Sequence, residues 1–409
     1  MMQKLELVDY EPASDPGNFR WLPKGYLIKR LMERHVSEII RNYGGMRVET
    51  PVMYDLKHPQ LNQYLKRFPA RQYQLLSGKK KYFLRFAACF GQYLIMHDMQ
   101  ISYRHLPLRL YELTHYSFRR EQPGELSGLR RLRGFTMPDM HTLCANLKQA
   151  KEEFHEQYLL CKKWMQALEL NHVMGIRVVD DLFERNRDFI LEIVKDFGQP
   201  VLFEKWKKQF FYFIIKFEFN VVDSQKKAAA LSTVQIDVEN TKRFDIKYID
   251  RNGKPQHPLL LHTSISGSID RNLYALLEQA ARKAQKRETP RFPYWLSPVQ
   301  VRLIPIADRY LARCKEIVFQ LKARVEIDDR SETTSRKIRD AEINWVPFIG
   351  VIGDREVKTN TISIRERSSK EQKVVEITKF QERLKQLQGD KPFEPINWPI
   401  FLSKQPRFH

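Results

Sequence analysis

Residues 103–144 decide the fold, and they read YRHLPLRLYELTHYSFRREQPGELSGLRRLRGFTMPDMHTLC. Within this stretch, residues 108–120 and 131–141 have the length and composition of two long strands. Residues 121–130 between them carry one proline and two glycines, which is typical of a turn. The segment therefore predicts an antiparallel hairpin with a polar tip.

Outward from the hairpin, the chain alternates between helical spacing and short apolar runs. The predicted helices are residues 26–42, 88–99, 146–170, 182–197 and 267–283, and the predicted strands are residues 82–86, 210–219, 231–238 and 259–262. Residues 47–52 are extended in pattern and contain Pro51, which suits a sheet edge or an interface. This order predicts an α+β fold, with helices around a largely antiparallel sheet, rather than a repeating βαβ fold.

The sequence pattern changes after residues 284–297, AQKRETPRFPYWLS. This segment contains both charged residues and prolines, which is typical of a linker. Beyond it, strands and helices alternate, and this predicts a separate small α/β domain. We therefore expect one domain over residues 1–290 and a second over residues 291–409, including a proline-rich tail.

The chain has 409 residues and a net charge of +21, from 70 basic and 49 acidic residues. Such a field favours a polyanionic partner such as a nucleic acid. The alternative is a heavily charged, solvated surface, as in a thermophile. No apolar run approaches a membrane span, and the opening residues lack a signal-peptide core, so we expect a cytoplasmic protein. None of the four cysteines lies in a CxxC pair, so no disulfide framework is evident.

Several arginines stand where the predicted elements end. Arg119 ends the first strand of the hairpin, Arg131 lies on the returning strand with Phe135 following on the same face, and Arg271 opens a helix after Gly267. A guanidinium group at such a place suits a phosphate, since it stays charged and donates a planar fork of hydrogen bonds. The alternative is a set of ordinary surface arginines in a basic protein.

Together these features resemble the three motifs of class II aminoacyl-tRNA synthetases. Residues 103–144, the segment STVQIDVENTKRFDIKYID at 232–250 and LHTSISGSIDR at 261–271 are similar to the threonyl-tRNA synthetases, archaeal type. The similarity spans about residues 10–385 and includes an anticodon-binding domain. It implies ATP-dependent ligation of L-threonine to tRNA(Thr) through a threonyl-adenylate, with Mg²⁺ accompanying ATP.

The resemblance also assigns residues to the nucleotide. Arg119 would hold the α-phosphate, Arg131 and Arg271 the γ-phosphate, while Glu121 would face the adenine and Phe135 would stack on it. Arg119 and Arg271 are thus the catalytic candidates. Their task is positioning and charge stabilisation rather than proton transfer.

Cys89, His141 and His262 are the candidate metal ligands. Their separations of 52 and 121 residues carry no metal signature, and a lone cysteine or histidine is usually a core residue. In the predicted fold, however, all three stand at ends of elements that meet in one sheet. They also match the family's zinc ligands, and one thiolate with two imidazoles leaves a coordination position open for a substrate.

The amino-acid pocket follows from the same resemblance. Tyr212, Gln235 and Ser268 would line it, Gln235 also belonging to the ATP site, and Asp139 would accept the substrate hydroxyl. Zinc recognition of that hydroxyl would reject valine, whereas serine differs by one methyl group, worth only about 1–3 kcal/mol, and would leak through. The sequence departs from the bacterial form just before Asp139, where it has Met137 and Pro138.

The remaining expectations concern RNA and partners. Arg339, Glu356 and Arg365 match anticodon-reading positions, and the proline-bearing first motif implies a homodimer. Residues 20–26 already enter the catalytic core, so no editing module is expected and a separate protein would edit seryl-tRNA in trans. The alternative is a sequence cut from a longer chain. A non-catalytic RNA-binding relative is the rival to an enzyme, but it would be expected to have lost Arg119, Arg271 or a metal ligand.

Overall fold

The predicted hairpin lies within an eight-stranded sheet in the computed structural model, which describes residues 1–66, 71–116, 120–122, 124–209 and 211–408. The strands are β1 (Val8–Tyr10), β2 (Phe19–Trp21), β3 (Met46–Arg47), β4 (Met53–Asp55), β5 (Tyr73–Ser77), β6 (Lys80–Leu84), β7 (Leu108–Tyr116), β8 (Phe135–Cys144), β9 (Val173–Val179), β10 (Val201–Trp206), β11 (Phe213–Val222), β12 (Ala228–Asp237), β13 (Tyr248–Ile249), β14 (Pro255–Gln256), β15 (Leu259–Ser264), β16 (Val301–Pro305), β17 (Val325–Ile327), β18 (Phe348–Ile352), β19 (Thr361–Glu366) and β20 (Gln372–Glu376). The helices are α1 (Pro23–Asn42), α2 (Pro59–Leu65), α3 (Cys89–Asp98), α4 (Leu147–Ala167), α5 (Asp180–Arg185), α6 (Arg187–Phe197), α7 (Asn240–Arg243), α8 (Ile269–Gln285), α9 (Leu311–Leu321), α10 (Thr334–Ile343), α11 (Asp354–Thr359) and α12 (Ile377–Gln388).

The large sheet has the order β10-β9-β11-β12-β15-β8-β7-β3. Its central pairs are antiparallel, and only the outermost pairs, β10 with β9 and β3 with β7, are parallel. Helix α4 packs on one face of this sheet, where its buried Phe154 and Tyr158 contact Phe217 edge to face. The predicted α+β class with a largely antiparallel sheet is confirmed.

The predicted end of the first strand of the hairpin, beyond Tyr116, runs through residues 117–119, which lie outside the described residues. The second strand begins later than predicted, since β8 starts at Phe135 rather than at residue 131. The reason is that the backbone near Arg131 bonds elsewhere: the Arg131 amide donates to the carbonyl of Ser127, and the Arg133 amide donates to that of Gly17. These groups are therefore not available to extend the ladder between β7 and β8.

A separate five-stranded sheet lies in the C-terminal part of the chain and has the order β17-β16-β18-β19-β20. Strands β17, β16 and β18 are parallel, and β19 and β20 are antiparallel additions. Apolar residues of α9 and α12 cover one face, and Ala341 of α10 packs with Ile304 and Ile349 on the other. This is the α/β layering predicted for the end of the chain.

The chain divides into two compact units, one of residues 1–9, 19–35 and 276–409 and one of residues 10–18 and 36–275. The expected domains, residues 1–290 and 291–409, stay a prediction. Over the described part of the chain, no helix has both the length and the apolar character that crossing a bilayer demands.

Candidate functional site

Cys89, His141 and His262 meet at one place in the large sheet. His141 lies on β8 and His262 directly opposite it on the neighbouring strand β15, while Cys89 is the first residue of α3. One ligand atom from each residue lies within 4.8 Å of the other two. The Cys89 Sγ atom is 4.0 Å from Nδ1 of His262, and the two imidazole rings are 4.9 Å apart, centre to centre. Residues remote in sequence thus converge.

The electrostatic surroundings suit a metal ion. Burial lowers the pKa of His141 well below its usual range, and the neighbouring His262 adds to this effect, so the ring is neutral and has a lone pair to offer. Burial also raises the pKa of the Cys89 thiol, helped by the Asp139 carboxylate. A divalent cation would reverse that shift, because a coordinating thiol is deprotonated. A thiol and two imidazoles fit Zn²⁺.

Two side chains that the sequence did not single out contact the histidines. Gln92 Oε1 lies 2.9 Å from Nδ1 of His141, and Asp237 Oδ2 lies 2.6 Å from Nε2 of His262. Both Gln92 and Asp237 are fully buried. Their spacing in the sequence could have indicated them, because Gln92 is one helical turn after Cys89 and Asp237 follows Gln235 on the same face of β12.

The expected amino-acid pocket borders the same cluster. Gln235 lies opposite His262 in the β12–β15 pair, and its Oε1 accepts a 3.2 Å hydrogen bond from the Tyr212 hydroxyl. The Tyr212 ring is 5.2 Å from the His262 ring, centre to centre. Asp139 precedes His141 by two residues and so shares its face of β8. These residues therefore lie beside the candidate metal ligands.

Asp139 has an unusual electrostatic setting. Desolvation raises its pKa to about 8, and the charge of Glu112 directly across on β7 adds to the shift, whereas Arg85 opposes it. A carboxyl group of this kind titrates close to neutral pH, which is common at functional sites.

Ser268 is buried where α8 begins. Its Oγ atom accepts a 3.2 Å hydrogen bond from the backbone amide of Arg271, which ties it to the first turn of the helix. The Arg271 guanidinium group is held by backbone carbonyls, at 3.0 Å from that of Arg130 and 2.8 Å from that of Ala230. These two hydrogen bonds fix the position of the guanidinium group.

Two further nucleotide candidates, Glu121 and Arg131, belong to an ionic network. Glu121 pairs with Arg71 at 2.6 Å and with Arg131 at 2.9 Å, and Glu125 pairs with the same two arginines. Arg131, 40% exposed, is accessible to a ligand. Arg119 lies outside the described residues.

Phe135 opens β8 and lies on the strand face that carries Asp139 and His141. The structure thus brings this aromatic ring to the same side of the sheet as the metal cluster, as its predicted stacking role requires.

The expected anticodon residues lie in the five-stranded sheet and its helices. Arg365 on β19 pairs with Glu342 of α10 at 2.8 Å, and Arg339 is exposed on the same helix. Glu356 is occupied in part, since its Oε2 accepts from the Gly353 amide at 3.0 Å where α11 begins. These residues are on two different helices and a strand.

Residues 73–280 match the class II core domain of tRNA synthetases (G, H, P, S and T), and residues 300–387 match the anticodon binding domain. Along its full length, the chain is 54% identical to the threonine–tRNA ligase of Pyrococcus horikoshii, 51% to that of Methanothrix thermoacetophila and 49% to that of Methanosarcina mazei. It spans 66%, 67% and 66% of those proteins, respectively.

Two solved structures share the fold. The RNA binding domain of threonyl-tRNA synthetase from Cryptosporidium parvum superposes with a TM-score of 0.82 at 21% identity, covering 96% of this chain and 98% of that one. Prolyl-tRNA synthetase of Giardia lamblia, in complex with prolyl-adenylate, superposes with a TM-score of 0.73 at 19% identity, covering 95% and 79%.

Proposed function

Because the chain belongs to the threonine–tRNA ligases of the class II tRNA synthetase family, we propose that it joins L-threonine to tRNA(Thr) using ATP. The convergence of Cys89, His141 and His262 beside Tyr212 carries the proposal. In the first step the threonine carboxylate attacks the α-phosphorus and pyrophosphate leaves. In the second step a terminal ribose hydroxyl of the tRNA attacks the carbonyl carbon of the threonyl-adenylate, and AMP leaves.

Cys89, His141 and His262 would hold one Zn²⁺ ion per chain. Bound there, zinc would supply a Lewis acid toward the amino and hydroxyl groups of threonine. Valine lacks that hydroxyl group. A site that binds the hydroxyl group of threonine rejects valine far more strongly than an apolar pocket can. Serine keeps the hydroxyl group, so its rejection rests on one methyl group and is weak.

Pocket residues of the chain would orient threonine. Asp139 would accept the hydrogen bond of the threonine hydroxyl, and the Tyr212–Gln235 pair would border the amino group. Ser268, fixed by the Arg271 amide, would close the pocket at the start of α8. Asp139 and Gln235 lie on strands, Tyr212 directly precedes β11, and Ser268 directly precedes α8, which favours a fixed geometry.

Arginines would serve the nucleotide. Arg119 would hold the α-phosphate, and Arg131 with Arg271 the γ-phosphate of ATP accompanied by Mg²⁺. Glu121 and Phe135 would contact the adenine, by hydrogen bonding and by stacking. To bind a phosphate, Arg131 would release the carboxylates of Glu121 and Glu125 and pair with the phosphate, which is also negatively charged.

Recognition of tRNA would use the five-stranded sheet and its helices. Arg339, Glu356 and Arg365 are proposed to read anticodon bases, because unstacked bases present edges to carboxylate acceptors and guanidinium donors. The net charge of +21 supports a polyanionic partner.

We also propose a homodimer formed through the first motif. Met46 and Met53 flank the proline-bearing segment and Val52 ends it, and the three residues are 48%, 47% and 38% exposed, which is unusual for apolar residues so close together. Sedimentation at micromolar concentration tests this. Editing of seryl-tRNA by a separate protein and a cytoplasmic location stay predictions; a deacylation assay with seryl-tRNA addresses the first.

Amino-acid-dependent ATP–pyrophosphate exchange tests the proposed function, with threonine, serine and valine compared in the presence and absence of a chelator. We expect fast exchange with threonine, detectable exchange with serine and negligible exchange with valine, and inhibition by the chelator. The Cys89→Ala variant should behave as the chelated protein does. Equal rates for threonine and valine would overturn the assignment of the metal site.

A further inference from the structure

The buried Asp237 carboxylate is surrounded by hydrogen-bond donors. Its Oδ1 atom accepts from the backbone amides of Glu239 at 2.7 Å and Asn240 at 2.9 Å, and its Oδ2 atom accepts from the Asn240 side-chain amide. The remaining contact of Oδ2 is the 2.6 Å one to Nε2 of His262. An ionised carboxylate only accepts, so the proton of the His262 ring lies on Nε2 and the lone pair on Nδ1.

At His141, Gln92 places the proton on the other ring nitrogen, Nδ1. The Gln92 Nε2 atom donates to the backbone carbonyl of Asp139 at 3.1 Å, which orients the amide. Its Oε1 atom therefore faces Nδ1 of His141 at 2.9 Å and accepts from it. The proton of this ring lies on Nδ1, and the lone pair on Nε2.

We propose that Asp237 and Gln92 are positioning residues that select opposite imidazole tautomers, so that His262 presents Nδ1 and His141 presents Nε2 to the metal. The 4.0 Å approach of Cys89 Sγ to Nδ1 of His262 agrees with this assignment. The Tyr93 hydroxyl does not decide it, being 3.3 Å from both nitrogens of His262. The inference rests on the proposed metal-dependent function and adds the groups that prepare the ligands.

The Asp237→Asn variant separates this role from a structural one. Its remaining oxygen can still accept from the backbone amides of Glu239 and Asn240. The Asn240 Oδ1 atom, which has no hydrogen-bond partner among the described residues, can turn to accept from the new amide. That amide now presents a donor to Nε2 of His262, so the proton of the ring moves from Nε2 to Nδ1 and the ring loses the lone pair that faces Cys89.

The measurement is zinc affinity by competition with a chromophoric chelator, together with thermal unfolding of the metal-free protein. We expect zinc to bind Asp237→Asn about 10–100-fold more weakly, as is usual when a group supporting a metal ligand is lost. The unfolding temperature of the metal-free protein should stay near that of the wild type. The control is Asp223→Asn, because Asp223 is also buried and accepts from the amides of Gln225 and Lys227, but its other contacts are Tyr274 and Arg130.

The outcomes are distinguishable. Wild-type zinc affinity in Asp237→Asn, with the metal still on Cys89 and both histidines, overturns the inference and leaves the proposed function standing. A wild-type protein that binds no zinc overturns the proposed metal site itself. If Asp237→Asn fails to fold, Gln92→Leu decides: a 10-fold or larger loss of zinc affinity supports the inference, and unchanged affinity contradicts it.

Discussion

Replacing Glu112 by leucine should strongly destabilise the compact unit formed by residues 10–18 and 36–275. The Glu112 and Arg85 side chains are each 1% exposed, and Oε1 lies 2.8 Å from Nη1. Glu112 also accepts from the Thr50 amide at 3.0 Å and the Thr50 hydroxyl at 2.9 Å. The substitution therefore removes the buried anion that accepts from the Arg85 guanidinium group and the Thr50 amide.

The magnitude follows from the geometry. At the 2.8 Å separation and an effective dielectric constant of about 20, the Coulomb attraction is roughly 6 kcal/mol before desolvation is considered. Breaking a buried pair by removing one partner costs about 3–5 kcal/mol in practice. For a unit of this size, we expect the midpoint of thermal unfolding to fall by about 6–20 °C.

Chemical unfolding followed by circular dichroism measures the change. The double variant Arg85→Met with Glu112→Leu should recover most of the loss, because no uncompensated charge then stays buried. The exposed pair of Arg185 and Asp181 gives the contrast, since Asp181→Ala should change the free energy of unfolding by less than about 1 kcal/mol. A Glu112→Leu protein within about 1 kcal/mol of wild type, or a double variant less stable than the single one, would refute this reasoning.

Three further predictions concern the site and its support. Arg271→Ala should slow threonine-dependent pyrophosphate exchange by about 10²–10³-fold with zinc content unchanged; exchange near the wild-type rate would remove Arg271 from the phosphate site. Gly267→Ala should lower the free energy of unfolding by about 2 kcal/mol or more, because Gly267 has a φ of +65° and an added Cβ would lie 2.4 Å from the Leu231 carbonyl oxygen; an unchanged melting temperature would be contrary evidence. Burial lowers the pKa of His172 in the folded protein. As pH falls through the ordinary histidine pKa of about 6.5, His172 therefore takes up a proton more readily in the unfolded chain than in the folded one, and this difference lowers the free energy of unfolding. Denaturant unfolding of His172→Phe should therefore show a smaller loss of stability between pH 7.5 and 5.5, and a slope as steep as that of the wild type would argue against it.

The strands of the hairpin could be predicted from their length and composition, but the start of β8 could not. It depends partly on the bond of the Arg133 amide to the carbonyl of Gly17, which forms only in the folded chain. In the five-stranded sheet, the alternation of strands and helices was predicted, whereas the hydrophilic strand β20 was not recognised.

The candidate metal site was accessible from the sequence through the predicted sheet and the family resemblance, not through the spacing of its residues. Cys89, His141 and His262 carry no common spacing, because their meeting depends on the register of β8 against β15 and on the start of α3. Gln92 and Asp237 were missed for a related reason: a buried amide and a buried carboxylate have no pattern of their own, and their role depends on which ring nitrogen each one faces.

X-ray absorption at the zinc edge of the purified protein tests the central claim most directly, because it counts the ligands and identifies their elements. The arrangement of Cys89, His141 and His262 predicts one sulfur at about 2.3 Å and two imidazole nitrogens at about 2.0–2.1 Å, with a light atom in the open position. A zinc shell of oxygen and nitrogen atoms without sulfur would contradict it.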